Sequence, residues 1–247
     1  MKPKYPEMII FDYGQTLIYE PEFNTLAGNR ALMKYIKTNK YNLSAEQIDE
    51  HSMKLYNELS RVKSMNIELH ERQFQRLLYE YLGIVLSIPY EEVEIIFWDS
   101  TSPGSPMPGV GKMLADIKRF GIRSAVISNI GYSGAALCER INRLLPDNEF
   151  EFIIASSEYA IRKPNPVIFR LAARKANLAE ENIWYCGDNI SADIAGASAA
   201  GMFPVWYDCG DVNYPRDREP DANPQCGHLH IRNWSELEIF LNDIKKS

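Results

Sequence analysis

Short apolar runs that end in polar residues recur along the chain. MIIF at 8–11 runs into Asp12, and the turn-forming Gly14 follows two residues later. RSAVIS at 123–128, FIIAS at 152–156, IWYCGD at 183–188 and FPVWYD at 203–208 repeat the pattern. Apolar runs this short and this continuous are what a strand buried on both faces requires. Between them, 110–120, 133–144, 166–177 and 191–200 carry helical patterns. Strands alternating with helices predict right-handed βαβ units, hence an α/β fold with a doubly wound, Rossmann-like parallel sheet.

Residues 20–102 break that rhythm and read as consecutive helices. Ser44 with Gln47 makes a capping box for a helix over 44–64, and Gly83 closes another over 70–82. The Pro/Gly/Ser-rich stretch TSPGSPMPG at 101–109 is the expected return hinge, and 19–23 the outgoing one. The expected organisation is a core of 1–19 and 103–247 with an all-helical cap of 20–102. In that cap His70, Phe74, Leu77, Leu78 and Tyr81 fall on one helical stripe. The stripe would aim His70 at the cleft between cap and core, although a packed histidine is the plainer reading. Arg72 and Arg76 form an i,i+4 basic pair that reads as a solvated face before it reads as an anion site.

Composition narrows the function classes. With 247 residues, 45% of them hydrophobic, the chain can bury a large core. A net charge of −6 gives no electrostatic reason for a nucleic-acid or anionic-membrane partner. No run approaches the roughly 20 apolar residues of a membrane span. Cys138, Cys186, Cys209 and Cys226 show no CxxC spacing and read as free thiols of a cytoplasmic protein. A zinc site from Cys226, His228 and His230 is conceivable by ligand type, but their strand-like alternation favours a structural role. A small substrate is therefore expected, on a monomer or homodimer.

In an open parallel sheet, ligands bind at the carboxyl ends of the strands. Asp12, Ser128 with Asn129, the Lys163 loop and Asp188 should therefore share one crevice. Asp12 is a carboxylate able to attack phosphorus. An anion approaching a phosphate meets repulsion of about 4 kcal/mol per unit charge pair at 4 Å and an effective dielectric near 20, so cations must lie close. Lys163 supplies one. Asp188 and Asp193, in GDNISAD, offer the hard oxygen ligands that Mg²⁺ prefers. The Ser128 hydroxyl and backbone N–H groups near Asp12 and Asn129 can hold phosphate oxygens.

These residues, in this order, resemble the haloacid dehalogenase superfamily of aspartate-nucleophile hydrolases with a cap inserted after the first strand. DYGQT at 12–16 is similar to the first family motif, Ser128 to the second, RKPNPVIF at 162–169 to the third and GDNISAD at 187–193 to the fourth. The resemblance implies Asp12 as nucleophile and Mg²⁺ ligand, the Gly14 carbonyl as a second ligand, and Thr16 as a positioning residue at the substrate. It further assigns Ser128 to phosphate, Lys163 to charge neutralisation, Asp188 to Mg²⁺ and Asp193 to a metal-bound water.

One departure stands out. Phosphatases of the superfamily usually carry a second aspartate, a general acid and base, where this chain has Gly14. A positioned proton donor contributes about 10² to 10⁴ in rate. The expected function is thus an Mg²⁺-dependent phosphohydrolase of a small phosphorylated metabolite, acting through an aspartyl-phosphate and slow on poor leaving groups. Alternatives are a low-turnover phosphoryl-ligand-binding or regulatory protein, and a phosphonate hydrolase using a cap lysine. Lys34, Lys37, Lys54 and Lys63 are available for that, none in an apolar setting. GDNISAD argues against Mg²⁺-free dehalogenation.

Overall fold

The computed structural model describes residues 3–210 and 223–246. The expected core segment 103–247 thus includes residues 211–222 and 247, which lie outside the described residues, as do residues 1–2. In chain order the described elements begin with β1 (Met8–Phe11), β2 (Ile18–Tyr19), α1 (Thr25–Leu32), β3 (Ile36–Asn39), α2 (Ala45–Leu59) and α3 (Glu71–Tyr81). Then come β4 (Ile84–Leu86), α4 (Tyr90–Thr101), β5 (Ser105–Pro106), α5 (Val110–Arg119), β6 (Arg123–Ser128) and α6 (Gly134–Leu144). The chain continues through β7 (Ile153–Ala155), α7 (Pro166–Ala176), β8 (Ile183–Gly187), α8 (Gly196–Ala199), β9 (Phe203–Tyr207), β10 (Leu229–Ile231) and α9 (Trp234–Lys245).

Six strands form one sheet in the order β10-β9-β8-β1-β6-β7, and all of its pairings are parallel. The five sequence-predicted strands are all in it. β10 and α9 extend it beyond what the apolar pattern marked. Alternation along each strand divides the core in two. Ile9, Phe11, Val126, Trp184 and Cys186 face one helical layer, with Met8, Ile10, Ile127, Ile183 and Tyr185 on the opposite face. β1 is the turning point of the strand order, between β6 and β8, so the crevice expected at a topological switch lies at its carboxyl end.

The helices start where side chains can satisfy their first N–H groups. Ser44 and Gln47 form the reciprocal capping box of α2, Ser133 caps α6, and Asn165 caps α7 with Pro166 in its first turn. Gly83 ends the α3 segment in the left-handed conformation, φ 64°. The ends of the inserted segment are tied together, because β2 pairs antiparallel with β5 through Ile18–Pro106 and Tyr19–Ser105.

The insertion is not all helical, which corrects the reading of 20–102. β3 and β4 pair antiparallel within it, and Ser60–Met65 winds as a 3₁₀ helix after α2. Runs as short as IKTN and IVL carry too little periodicity to reveal a strand. The phase of α3 also differs from the expected stripe. Its buried residues are Phe74, Gln75, Leu78 and Tyr79, with Leu77 and Tyr81 exposed. His70 precedes the helix as its cap, accepting the Arg72 N–H on Nδ1 at 3.2 Å. Arg72 and Arg76 are engaged by acids, Arg72 by Glu91 and Glu94 and Arg76 by Glu80. Among the described residues no helix is long and apolar enough to cross a membrane.

Candidate active site

Asp12 follows the last residue of β1, and its backbone N–H reaches back to the Cys186 carbonyl of β8 at 2.8 Å. Parallel pairing of β1 with both β6 and β8 brings Ser128 and Asp188 to the same edge. The turn after Asp12 closes through the Leu17 and Ile18 N–H groups onto the Tyr13 carbonyl. Its left-handed residue is Gln15, φ 59°. Gly14 and Thr16 are buried within this turn, and the Thr16 hydroxyl lies 3.5 Å from Asp188 Oδ1.

Lys163 enters from the loop before α7. Its ammonium, 2% exposed as a residue, donates to Asp12 Oδ1 at 2.8 Å, Asp193 Oδ1 at 2.7 Å, the Tyr185 hydroxyl at 2.6 Å and the Ile127 carbonyl at 3.2 Å. Burial opposes the charge on Lys163, but the two carboxylates outweigh it and raise its pKa above the ordinary lysine value. Burial likewise pushes the Asp193 carboxyl up, against the pull of Lys163 and with the Asp12 charge adding to the rise. The Tyr185 phenol is driven up by burial and then by Asp193 and Asp12, so it stays a neutral donor and acceptor.

Local geometry places Asp193. After β8 the chain turns through a wide π-helical segment, Ile190–Ala195, capped by the Asn189 side chain. Within it Asp193 Oδ2 accepts the Asn189 N–H at 2.9 Å. The carboxylate then lies over Gly187, where a Cβ would stand 2.4 Å from Asp193 Cγ. Only glycine admits that approach.

One carboxylate oxygen from each of Asp12, Asp188 and Asp193 can be chosen so that all lie within 4.8 Å of one another. Three hard oxygen donors, two of them buried, converge beside the Lys163 ammonium, and that donor set fits Mg²⁺. Cys226, His228 and His230 form no such group. His228 Nδ1 lies 2.8 Å from the Cys226 carbonyl and His230 pairs with Asp208 at 3.3 Å. Among the described residues these three side chains are thus not gathered as metal ligands, in keeping with the structural role favoured for them.

The crevice therefore unites Asp12, Gly14, Thr16, Ser128, Lys163, Asp188 and Asp193. Asn129 is also there, but its side chain is occupied. It donates from Nδ2 to the Lys163 carbonyl at 2.9 Å and accepts the Lys163 N–H on Oδ1 at 2.7 Å. Tyr185 was missed by sequence reasoning; its place two residues before the strand-ending Gly187, on the Ile127 face of the sheet, was the available signal. A buried network adjoins the site. Glu20 accepts from Tyr13 at 3.1 Å, Trp98 at 3.2 Å and Arg140 at 3.1 Å, joining the outgoing hinge to α4 and α6.

The chain is 28% identical over 243 residues, 96% of its length and 98% of the relative's, to a glyceraldehyde 3-phosphate phosphatase of Methanopyrus kandleri. It is 32% identical over 134 residues, 54% of this chain and 49% of the relative, to a phosphoserine phosphatase of Thermus thermophilus. In fold it is similar to a 2-haloacid dehalogenase from Pseudomonas syringae pv. Tomato, with a TM-score of 0.63 at 22% identity over 96% of this chain and 99% of that one. The model of the haloacid dehalogenase-like hydrolases matches residues 7–201, from β1 through α8, and with that match the chain belongs to this hydrolase family.

Proposed function

We propose that this chain hydrolyses the phosphoric monoester of a small metabolite through a phosphoaspartate formed on Asp12. The observation that carries the proposal is the Lys163 ammonium shared between Asp12 and Asp193 at 2.8 and 2.7 Å, a cation fixed beside a carboxylate at the switch point of the sheet. The phosphatase names of relatives matching over most of the chain support the same reaction class. In this reading residues 1–19 and 103–247 form the catalytic core, and 20–102 the cap that excludes water and selects the substrate.

The Asp12 carboxylate attacks phosphorus, and the bond to the leaving oxygen breaks with its electron pair. A water then attacks the phosphoaspartate, releasing phosphate and restoring Asp12. Ser128 and the backbone N–H groups beyond Asp12 hold the phosphoryl oxygens, and Thr16 fixes the turn against Asp188. Lys163 lowers the repulsion between the two anions, steadied by the Tyr185 hydroxyl. Asn129 holds the Lys163 backbone in place. Mg²⁺ held by Asp12, Asp188, Asp193 and the Gly14 carbonyl would supply Lewis-acid stabilisation of the phosphoryl charge.

The decisive assay is hydrolysis of p-nitrophenyl phosphate with and without Mg²⁺, by wild type and Asp12→Asn. Turnover that needs both Mg²⁺ and Asp12 supports the proposal; equal turnover by Asp12→Asn would mean direct attack by water. A second reading, a phosphoryl-ligand-binding protein of low turnover, is favoured by glycine at position 14 and would show binding of phosphate esters without turnover. The phosphonate-hydrolase reading is disfavoured, because Lys63, the half-buried member of the four candidate lysines, is ion-paired to Glu68 at 3.6 Å.

A further inference from the structure

The start of α3 rests directly on the loop that leaves Ser128. The Glu71 N–H donates to the Gly131 carbonyl at 2.8 Å. At Gly131 a Cβ would stand 2.9 Å from the Leu69 carbonyl, so the two backbones meet where only glycine fits. From Ser128 to Gly131 the chain can span at most about 11 Å. The contact between Gly131 and the start of α3 thus lies within about 11 Å of Ser128, a distance that a small phosphate ester can cover.

The side chains there are polar, buried and incompletely paired. Gln75, one turn after Glu71, is 2% exposed, yet neither its Oε1 nor its Nε2 has a hydrogen-bond partner. Its amide is close enough to the Glu71 carboxyl to steady the charged form without completing a bond. Tyr132, 5% exposed, stacks on Trp98 with ring centroids 4.1 Å apart and also leaves its hydroxyl without a partner. A buried polar atom with no partner costs roughly 1–3 kcal/mol. Here two side chains on facing elements carry three such atoms, whereas neighbouring groups are well paired. Ser133, the next residue, gives both its N–H (3.0 Å) and its hydroxyl (2.6 Å) to Glu94, which is also held by Arg72 at 3.2 Å.

We propose that Glu71, Gln75 and Tyr132 form a subsite for a hydroxyl-bearing carbon chain, so that among alkyl phosphates the polyol and sugar phosphates are held in preference to unsubstituted and amino-substituted ones. The inference rests on the phosphatase reading for the direction in which the substrate lies. The amide offers a donor and an acceptor and the phenol a donor and an acceptor, a set that matches vicinal hydroxyls. Burial, opposed by Lys63 and reinforced by Glu94, raises the Glu71 carboxyl to about 7, so near neutrality it can be present as the acid and donate. Burial, and then the Glu71 charge, raises Tyr132 and keeps it protonated. A site that hydrogen-bonds a hydroxyl discriminates strongly against the analogue lacking it, because its own groups are left unpaired.

The test is calorimetric and independent of turnover. In Mg²⁺, wild type is titrated with 3,4-dihydroxybutylphosphonate, butylphosphonate and 4-aminobutylphosphonate, and so are Gln75→Leu and the conservative Tyr132→Phe. The dihydroxy ligand should bind wild type at least about tenfold more tightly than butylphosphonate, and each variant should reduce that ratio to about threefold or less. Because the readout is a ratio within one protein, a partly destabilised variant still reports it. No preference in wild type, a preference retained in both variants, or tighter binding of the amine would overturn the subsite. A dihydroxy preference in a protein that turns over no monoester would leave the subsite standing and sink the phosphatase reading instead.

Discussion

The ammonium of Lys163 lies 2.8 Å from Asp12 Oδ1 although 151 positions separate the two residues in the chain. The Lys163 side chain is almost wholly buried, and its partners Asp12 and Asp193 are buried with it. Removing one member of such a cluster strands charge in a medium that solvates it poorly. Lys163→Met should therefore lose about 3–5 kcal/mol of stability in urea unfolding at neutral pH. It should also lose about 10² to 10³ in kcat where the variant remains folded, the scale of deleting one preorganised charge-stabilising group. A variant as stable as wild type would show that the cluster contributes no net pairing.

The carboxylates at the switch point make a second prediction. Asp12, Asp188 and Asp193 each present a carboxylate oxygen within 4.8 Å of the others, so a divalent cation should bind between them and stabilise the fold. Asp188 is half-buried at the end of β8, and asparagine there keeps the side chain's size while removing its charge. Asp188→Asn should weaken Mg²⁺ binding at least about tenfold and abolish the rise in Tm on adding Mg²⁺. Undiminished Mg²⁺ affinity by calorimetry would remove Asp188 from the ligand set.

How much of this was legible in the sequence depends on the range of the interaction involved. The parallel strands announced themselves because burial on both faces forces continuous apolar runs, and the polar residues ending them marked the crevice. The Ser44–Gln47 box was legible because capping is local. By contrast, β3 and β4 are stabilised by each other although α2 and α3 lie between them in the chain, and neither IKTN nor IVL is long enough to show a period. His70 matched a stripe by spacing, but as a cap it sits outside the helix whose face was being counted. Asn129 entered the reading through the backbone N–H groups around it; that its side-chain amide also bridges the Lys163 backbone is a long-range contact the sequence does not show. The unpaired Gln75 and Tyr132 are invisible without coordinates, because an absent partner is a property of three dimensions.

Glu71 gives a pH prediction. Its carboxyl is raised from 4.5 to about 7 by burial, with Lys63 and the Gln75 amide opposing the rise and Glu94 adding to it, while the Tyr79 and Tyr132 phenols also feel its charge. Between those two pKa values the folded state binds the proton more tightly than the unfolded state, so this contribution favours folding below about pH 4.5. It declines as pH rises to about 7 and is lost above. The decline is on the order of 3 kcal/mol at most. Relative to Glu71→Gln, which mimics the neutral acid, wild type should lose unfolding free energy between pH 5 and pH 8. Parallel pH profiles of the two proteins would exclude a raised Glu71.

Glycine at position 14 gives the last prediction, since phosphatases of the superfamily usually carry a proton donor at that position. Without one, an alkoxide must depart with little protonation, whereas nitrophenolate leaves unaided. The rate should therefore fall steeply with leaving-group basicity, and p-nitrophenyl phosphate should turn over far faster than an alkyl phosphate. Gly14→Asp should restore a donor and raise kcat on alkyl phosphates by about tenfold, less than the full 10² to 10⁴ of a positioned acid because the surrounding residues are not arranged for it. The left-handed residue of the turn is Gln15, φ 59°, and Gly14→Ala serves as the control for any strain of a side chain at 14. His70 is the rival donor. Its Nδ1 is committed to accepting the Arg72 N–H, which leaves the proton on Nε2. If wild type hydrolyses alkyl and aryl phosphates at similar rates, a substitute acid is at work, and His70→Ala and Glu71→Gln assayed on both esters identify it by which variant loses the alkyl ester selectively.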